Sequence, residues 1–371
     1  MILLNVGPGP KALHGPEAAR RLAEAGHEIS VRLDGGAREF VGPAAFLAPG
    51  IEVEPAEEPD AVEALVFAPA DAATLSRLAH GLGEGTAHRA YAAGERPAVV
   101  VPDLDPATAE HQAVRENLAL LEGDGATVLA GATPGEVVSR TLHELGGPLA
   151  GLRVVVTAGG TREPVDSVRF VGNRSSGKMG AAIAREAYRR GADVSVVAAN
   201  VPEAEPGVDW RAVETFAELR QETLKLCEEA DALVMAAAVS DFTPAPPMLE
   251  EKIRRGGREK MVLELAATPD ILAEVRERHP ELFVVGFAAT HGDPLPDARE
   301  KLRKKGVDLV VGNDISAPGI GFGSEDNEAY IVMESASGEG YEEHFVPRGP
   351  KTALASVILG HLMPAIKHRE V

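Results

Sequence analysis

Cysteine is nearly absent from this sequence: Cys227 is the only one, so no disulfide can form within the chain. Long apolar stretches are absent too, and none approaches the roughly 20 residues of a membrane-spanning helix. The apolar run that begins at Met1 lacks a basic start and is too short for a signal peptide. These absences predict a cytoplasmic protein that does not bind membranes, in which Cys227 is a small buried thiol.

Positive charge is also scarce, because 37 Lys and Arg residues stand against 57 Asp and Glu residues, for a formal net charge of −20. So acidic a protein offers no broad surface to nucleic acid or to an anionic membrane. Two local basic runs, 252–260 and 299–305, are the exceptions. Such runs are often solvated surfaces, so their neighbours must decide whether they bind anything.

The length of 371 residues predicts two domains, each with its own core. Short apolar runs alternate with helical patterns, for example helices predicted over 16–25, 72–80, 108–121 and 134–144, and this alternation is typical of doubly wound parallel sheets. A glycine–proline hinge at 146–148 sets the boundary. We therefore expect an α/β protein with domains at 1–147 and 148–371.

The stretch 152–201 carries the clearest functional signal. An apolar run at 152–156 predicts a buried parallel strand, which stops at the turn residues TAGG. A glycine-rich segment, 172–180, then leads into a helix predicted over 181–190 and a strand over 194–198. This is a βαβ unit whose connection lies at the carboxyl ends of the strands, where open α/β sheets bind ligands.

The segment 172–178, GNRSSGK, has the spacing of a phosphate-binding P-loop. However, Met179 stands where a P-loop has a magnesium-binding Ser or Thr, and the segment lies well downstream of the strand. A dinucleotide-binding loop is also not indicated, because no G-x-G-x-x-G follows Val156. A glycine-rich connection without a ligand is the remaining alternative, and the polar cluster at 173–178 argues against it.

Three motifs resemble a known family: TAGGTREPVD at 157–166, VRFVGNRSSGKMG at 168–180 and AAAVSDF at 236–242. They are similar to the phosphopantothenate–cysteine ligase half of the bifunctional coenzyme A biosynthesis family, over about residues 151–360. The resemblance implies a Rossmann-like domain that joins 4′-phosphopantothenate to L-cysteine through an acyl-cytidylate made from CTP. It also implies Mg²⁺ as a cofactor and a homodimer formed through the ligase domain.

The resemblance further implies roles for single residues. Lys252 would stabilise the transition state of cytidylation, and Asn173 would orient the acyl group. Arg169 and Phe242 would meet phosphopantothenate across a dimer interface. Nucleotide binding would fall to two lysines that hold the triphosphate, Lys301 and Lys305, and to Ala236, Ala237, Asp241, Pro269, Asp270, Ile271, Leu272 and Phe287. The metal ligands stay unassigned.

The residues taken alone leave plainer interpretations open. Asp241 also suits a turn at the end of a strand. Lys301 and Lys305 lie four residues apart on one helix face, where lysines favour the helix dipole. Thr268 is predicted to be the N-cap of a helix with Pro269 in its first turn, a combination that is common at helix starts and needs no ligand. The run 252–255, KIRR, keeps only the first lysine of the family's K-x-K-K pattern.

The first domain resembles the flavodoxin-like decarboxylase half of the same family, best at 68–74, APADAAT. The histidine expected within 51–63 is missing, PDLD at 102–105 replaces the family's PAMN, and the active-site cysteine is absent. Pro8 also removes an amide donor from the turn that would hold a flavin phosphate. We expect a degenerate decarboxylase domain without FMN. The alternative is a fully bifunctional enzyme that also decarboxylates the product with FMN.

Overall fold

The computed structural model describes residues 1–54, 61–83, 85–94, 96–202, 205, 207–245, 252–254, 259–316, 319–321, 323–335 and 340–369. The chain divides into two compact units, Met1–Gly147 and Pro148–Val371. No helix in these ranges is long and apolar enough to cross a membrane.

The first unit is a parallel sheet with helices on both faces. Its strands are β1 (Ile2–Val6), β2 (Ile29–Leu33), β3 (Ile51–Val53), β4 (Ala64–Ala70), β5 (Ala98–Pro102) and β6 (Thr127–Val128). Its helices are α1 (Gly15–Glu24), α2 (Ala72–Ala79), α3 (Thr86–Ala92), α4 (Pro106–Ala109), α5 (Gln112–Gly123) and α6 (Pro134–Glu144), with 3₁₀ turns at Pro10–His14, Ala37–Glu39 and Pro43–Phe46. All six strands are parallel, in the order β3-β2-β1-β4-β5-β6, so the doubly wound parallel sheet predicted for this unit is confirmed.

The single helix predicted over 108–121 is wrong, because the chain forms α4 and α5 there. Asp105 caps α4 by accepting the amides of Ala107 and Thr108 at 3.0 and 3.1 Å. The His111 ring then accepts the Ala113 amide at 3.3 Å and starts α5. Two capping side chains six residues apart therefore divide one apolar pattern into two helices.

The second unit contains a larger sheet and two small ribbons. Its strands are β7 (Arg153–Gly159), β8 (Arg162–Pro164), β9 (Phe170–Gly172), β10 (Asp193–Ala199), β11 (Asp209–Val213), β12 (Ala232–Met235), β13 (Phe242–Pro244), β14 (Leu265–Ala267), β15 (Phe283–Thr290), β16 (Leu309–Asp314), β17 (Asp326–Glu334) and β18 (Tyr341–Pro350). Its helices are α7 (Lys178–Arg189), α8 (Phe216–Cys227), α9 (Ile271–Arg278), α10 (Leu295–Lys305), α11 (Lys351–Gly360) and α12 (Leu362–Arg369).

The large sheet has the order β11-β10-β7-β12-β15-β16-β17-β18. Its first six strands are parallel, as expected of a Rossmann-like domain, whereas β17 and β18 are antiparallel and make the sheet mixed. The chain moves from β7 to β10 on one side and later to β12 on the other. The ends of β7 and β12 therefore form a topological switch point, where such sheets bind ligands.

Both faces of this sheet are buried, which explains the continuous apolar runs of its strands. Helices α7 and α11 cover one face with side chains such as Ile183 and Leu354, both fully buried. The other face packs against α8, α9 and α10. Gly180 lets α7 approach β7 closely, since a Cβ at this position would lie 2.6 Å from the Ala158 Cβ. Cys227 is buried as predicted, and burial raises the pKa of its thiol to about 12.

Candidate active site

A cavity of about 400 Å³ opens at the carboxyl ends of β12, β15 and β16, beside the first turn of α7. Its wall is formed by residues 175–180 and 236–239 together with Asp241, Phe287, Ala289, Lys301, Asn313, Ile315, Gly321, Asn327 and Lys351. A shallower depression of about 690 Å³ lies against β11 and α8, and none of the predicted site residues lines it. The first cavity is therefore the candidate active site.

Five predicted nucleotide-binding residues, Ala236, Ala237, Asp241, Phe287 and Lys301, line the cavity together. The buried Thr157 hydroxyl accepts the Ala237 amide at 3.0 Å and fixes the alanine run against β7. Small side chains in this run leave the backbone accessible to a flat or sugar-like group.

Lys301 is the cation whose placement the fold controls most closely. Its ammonium donates to the carbonyl oxygen of Phe287, inside the cavity wall. Burial lowers the pKa of Lys301, and the nearby Lys305 lowers it further, while Asp270 and Asp241 oppose this effect. The result is a partly desolvated positive charge beside the strand ends, a setting in which an anionic ligand is attracted strongly.

The contacts of segment 268–272 differ from the predicted helix start at Thr268. Thr268 is not the N-cap of α9; instead Asp270 caps it by accepting the Ala273 amide at 3.3 Å. The Thr268 hydroxyl donates to the Ser240 carbonyl at 2.8 Å and ties the segment to the end of β12. Ile271 and Leu272 point into the core, so their side chains are not available to a ligand.

Lys305 forms an ion pair with Asp270. Burial works against ionisation of the Asp270 carboxyl, but Lys305 and the Ala273 amide outweigh burial and lower its pKa. Neither Lys305 nor Pro269 is part of the cavity wall, and Pro269 is exposed. Lys301 and Lys305 of α10 therefore differ, since Lys301 faces the cavity and Lys305 neutralises the cap of α9.

Asn173 connects the glycine-rich segment to the end of β12. Its carboxamide nitrogen donates to the carbonyl of Ala238, a residue of the cavity wall, and its oxygen accepts the Ser175 amide at 3.1 Å. A side chain on Gly160 would collide with this carboxamide, so a glycine is required there. Because the β8–β9 ribbon separates β7 from the segment, the P-loop geometry is absent here, as Met179 indicated.

Lys252, Arg169 and Phe242 lie outside the cavity wall of a single chain. Arg169 donates to the carbonyl of Ile253 at 3.2 Å, which brings the exposed Lys252 beside the β8–β9 ribbon. Phe242 is 52% exposed on the neighbouring β13–β14 ribbon. These three residues thus belong to a second surface, while Arg255 of the same basic run lies outside the described residues.

Asp166 organises this second surface, although no role was predicted for it. Its buried carboxylate accepts the amides of Val168 at 2.8 Å, Arg169 at 2.7 Å and Ile253 at 3.0 Å. Burial opposes ionisation, yet these hydrogen bonds and the Arg169 guanidinium hold the pKa of Asp166 below its usual value. The available signal was its position at the end of the TAGGTREPVD motif.

Lys351, which lines the cavity, was missed for a different reason. It is the first residue of α11, and nothing in its neighbourhood in the sequence separates it from an ordinary surface lysine. Only the fold brings Lys351 to the site. Asn200, with φ of 58°, donates to the Gly160 and Glu214 carbonyls at 2.9 and 3.0 Å, but it lines the shallower depression against β11 and α8.

Comparison with known proteins agrees with this geometry. Residues 149–365 match the model of the DNA/pantothenate metabolism flavoprotein C-terminal domain, and residues 12–157 match the flavoprotein model. The coenzyme A biosynthesis bifunctional protein CoaBC of Mycobacterium tuberculosis (strain H37Rv) is 35% identical, over 96% of this chain and 95% of its own. The chain belongs to the CoaBC family.

A second relative and a solved structure extend this comparison. The Bacillus subtilis (strain 168) CoaBC protein is 31% identical over 90% of each chain. The crystal structure of the C-terminal domain of a CoaBC protein is 29% identical, with a TM-score of 0.50, and covers 60% of this chain and 100% of its own. The family resemblance carried by the three sequence motifs is therefore confirmed over both units.

Proposed function

We propose that the second unit is a phosphopantothenate–cysteine ligase that uses CTP and acts in coenzyme A biosynthesis. The observation that carries the proposal is the cavity at the strand ends, where Lys301 lies beside the alanine run and Asp241, next to the loop that Asn173 fixes. Such a cavity suits a nucleoside triphosphate, since it offers accessible backbone for the base and sugar and a cation for the phosphates.

The first step activates a carboxylate, which is a poor electrophile. An oxygen of the phosphopantothenate carboxylate attacks the α-phosphorus of CTP, and the bond to the bridging oxygen breaks as pyrophosphate leaves. Negative charge builds up on the leaving group, so positive charge already in place lowers the barrier. We assign Lys301 and Lys305 to the triphosphate, and Lys305 must exchange its contact with Asp270 to take part.

The second step forms the amide. The amine of cysteine attacks the acyl carbon of the cytidylate, loses a proton, and CMP leaves with the electron pair of the broken C–O bond. We assign Asn173 to the orientation of this acyl group, because its carboxamide is held between Ala238 and Ser175 beside the cavity. A group held by two partners keeps its geometry through both steps.

We assign Lys252 a role in a homodimer, in which it would act on substrate bound by the partner protomer. The ribbons β8–β9 and β13–β14 expose Val168, Phe170 and Phe242 around Arg169, which is an apolar patch typical of protein interfaces. A homodimer formed there would cover the patch and would bring Lys252 and Arg169 of one protomer towards substrate bound by its partner. Phe170→Glu is expected to convert a dimer to monomers in analytical ultracentrifugation, and an unchanged dimer would move the interface elsewhere.

Lys252 itself has a direct test. Lys252→Gln keeps a polar side chain, one atom shorter, and removes its charge, so cytidylate formation is expected to stop while the fold stays intact. Burst release of pyrophosphate, followed together with circular dichroism, measures both. A variant that retains the burst would end the assignment.

Mg²⁺ is included as the counter-ion of the nucleotide. The described ranges contain no group of three or more His, Cys, Asp and Glu side chains that could hold a metal. Magnesium commonly keeps several waters and binds through phosphate oxygens, so in our proposal it arrives with CTP. Among the described residues of the cavity wall, Asp241 supplies the carboxylate.

The first unit does not fit the phosphate of a flavin mononucleotide at the turn after β1. The Gly7 amide already donates to the Pro69 carbonyl at 3.0 Å, and Pro8 has no amide hydrogen. The Asp103 carboxylate faces Gly9 and pairs with Lys11 at 3.0 Å, so an acid stands beside the turn. We therefore propose that this half is a degenerate decarboxylase without FMN.

The alternative is a fully bifunctional enzyme that also decarboxylates the product with FMN, and the match of residues 12–157 to the flavoprotein model favours it. Purified full-length protein distinguishes the two, since bound flavin gives visible absorbance. Ligase activity is tested separately by pyrophosphate release with phosphopantothenate, cysteine and CTP, compared with ATP. No release with either nucleotide would refute the ligase assignment.

A further inference from the structure

Part of the cavity wall comes from residues that precede and open β17. Gly321 and Asn327 line the cavity there, and the Asn327 amide faces the Met179 sulfur of the glycine-rich segment at 3.9 Å. We call residues 319–321 and 323–327 the wall segment. Its last two residues, Asp326 and Asn327, open β17, and the rest lies outside regular strands and helices, so side chains must hold that part in place.

Lys351 is the main holder of the wall segment. It is 7% exposed, and its ammonium donates to the carbonyls of Ser324 at 2.6 Å, Asp326 at 3.1 Å and Gly321 at 3.4 Å. An ammonium has three hydrogens, so these three carbonyls use all of its donors. The side chain therefore lies across the segment and joins its two ends to the first turn of α11.

Lys178 holds the same segment from the other side. It is the first residue of α7, and its ammonium donates to the Gly323 carbonyl at 3.0 Å and to the Glu325 carboxylate. Helices α7 and α11 pack against each other, so the backbones that carry Lys178 and Lys351 are fixed relative to one another. Burial lowers the pKa of Lys351, and the nearby positive charge of Lys178 lowers it further. Placing these two cations close together therefore costs electrostatic free energy.

Stability alone does not explain such an arrangement. Taking an ammonium out of water costs free energy, and its new hydrogen bonds at best offset that cost. Apolar residues of similar volume often stabilise a fold equally well. What the carbonyl contacts do provide is a fixed position for the wall segment. We propose that Lys351 is a positioning residue of the active site, which holds the wall segment so that Asn327 and Gly321 face the bound nucleotide.

This inference rests on the proposed function, but part of its test does not. Lys351→Met in the full-length protein retains the apolar stem and removes the three donors. Amide hydrogen exchange of peptides covering 323–327 is expected to rise at least about tenfold, the loss of about one net hydrogen bond, while β10 peptides stay protected. Unchanged exchange at 323–327 would overturn the proposal, whether or not the protein releases pyrophosphate.

The kinetic part separates positioning from general stability. Lys351→Met is expected to raise KM for CTP about tenfold and to leave kcat within about twofold. The reason is that the wall segment contacts the nucleotide equally before and during the reaction, so its loss weakens binding without slowing the chemical step. Lys351→Arg should recover part of the loss, since a guanidinium also donates to carbonyls. Lys304→Met, an exposed charge change on α10, is the control and should change neither value. A lower melting temperature with wild-type KM would reduce Lys351 to a structural residue.

Two further variants cover the case in which Lys351→Met folds poorly. The first, Glu325→Gln, leaves both lysines in place and weakens only the contact to Lys178, so it should produce a smaller rise in exchange at 323–327. If the two lysines hold one segment, the effect of Lys178→Met combined with Lys351→Arg will be non-additive. Strict additivity together with unchanged exchange in Glu325→Gln would contradict a shared role.

Discussion

Replacement of Lys301 by methionine tests the cavity most directly. Methionine keeps most of the apolar stem but removes the ammonium that donates to Phe287 and lies inside the cavity wall. A hydrogen bond to a charged group contributes about 1.5–3 kcal/mol, which corresponds to a rise of roughly 10- to 150-fold in KM for CTP. Stability should change by no more than about 1 kcal/mol, because the lost hydrogen bond is offset by the removal of a buried charge.

Lys304→Met provides the matched control on the same helix. Its ammonium is exposed and pairs with Glu300, so the same change of charge occurs away from the cavity. Steady-state kinetics with CTP as the varied substrate should give a wild-type KM for this variant. A wild-type KM for Lys301→Met as well would refute the assignment of Lys301 to the triphosphate.

The pH dependence of KM gives an independent check. Burial lowers the pKa of Lys301, so its positive charge is lost as pH rises through a value below that of an ordinary lysine. CTP binding should therefore weaken in the alkaline range, with full strength below that pKa. In Lys301→Arg the charge persists at every accessible pH, and the alkaline loss should move upward. The same alkaline loss in both proteins would place the titrating group elsewhere.

Three further changes probe the remaining parts of the second unit. Asn173→Ala removes a carboxamide held by Ala238 and Ser175, so kcat should fall about 100-fold with little change in substrate KM. Asp166→Ala frees the Ile253 amide and should lower cytidylate formation as far as Lys252→Gln does, and burst kinetics measure this. Leu233→Ala leaves a cavity in a fully buried strand, so the second unit should lose about 2–5 kcal/mol in urea unfolding. Wild-type values in these assays would contradict each assignment.

Much of the fold follows from local patterns in the sequence. The apolar run predicted at 152–156 is local, and β7 covers all but its first residue. The capping box of Thr215 and Glu218 at the start of α8 is equally local. Local competition explains the errors. Thr268 and Asp270 can both cap α9, and the hydrogen bond of Thr268 to Ser240 decides the outcome. That contact joins residues 28 positions apart, which local reasoning cannot see.

The candidate site was only partly predictable for the same reason. Residues that follow strand ends, such as Asp241 and Phe287, reach the cavity because the topology of parallel sheets brings those ends together. Lys252 and Lys301 cannot be assigned to one surface from sequence, since their positions depend on Asp166 and on the packing of α10. Lys351 and Asn327 come with the antiparallel strands, whose place in the sheet the alternating pattern did not indicate.

The contact between α7 and α11 has a consequence for how the protein is made. Helix α7 carries the glycine-rich segment at its start, and its outer side is covered by a helix that begins only at Lys351. During synthesis the ribosome releases α7 long before its cover exists, so the apolar side chains that α11 covers stay accessible until residues 351–360 emerge. A product shortened before α11 would retain every strand of the sheet and still lack a finished binding pocket.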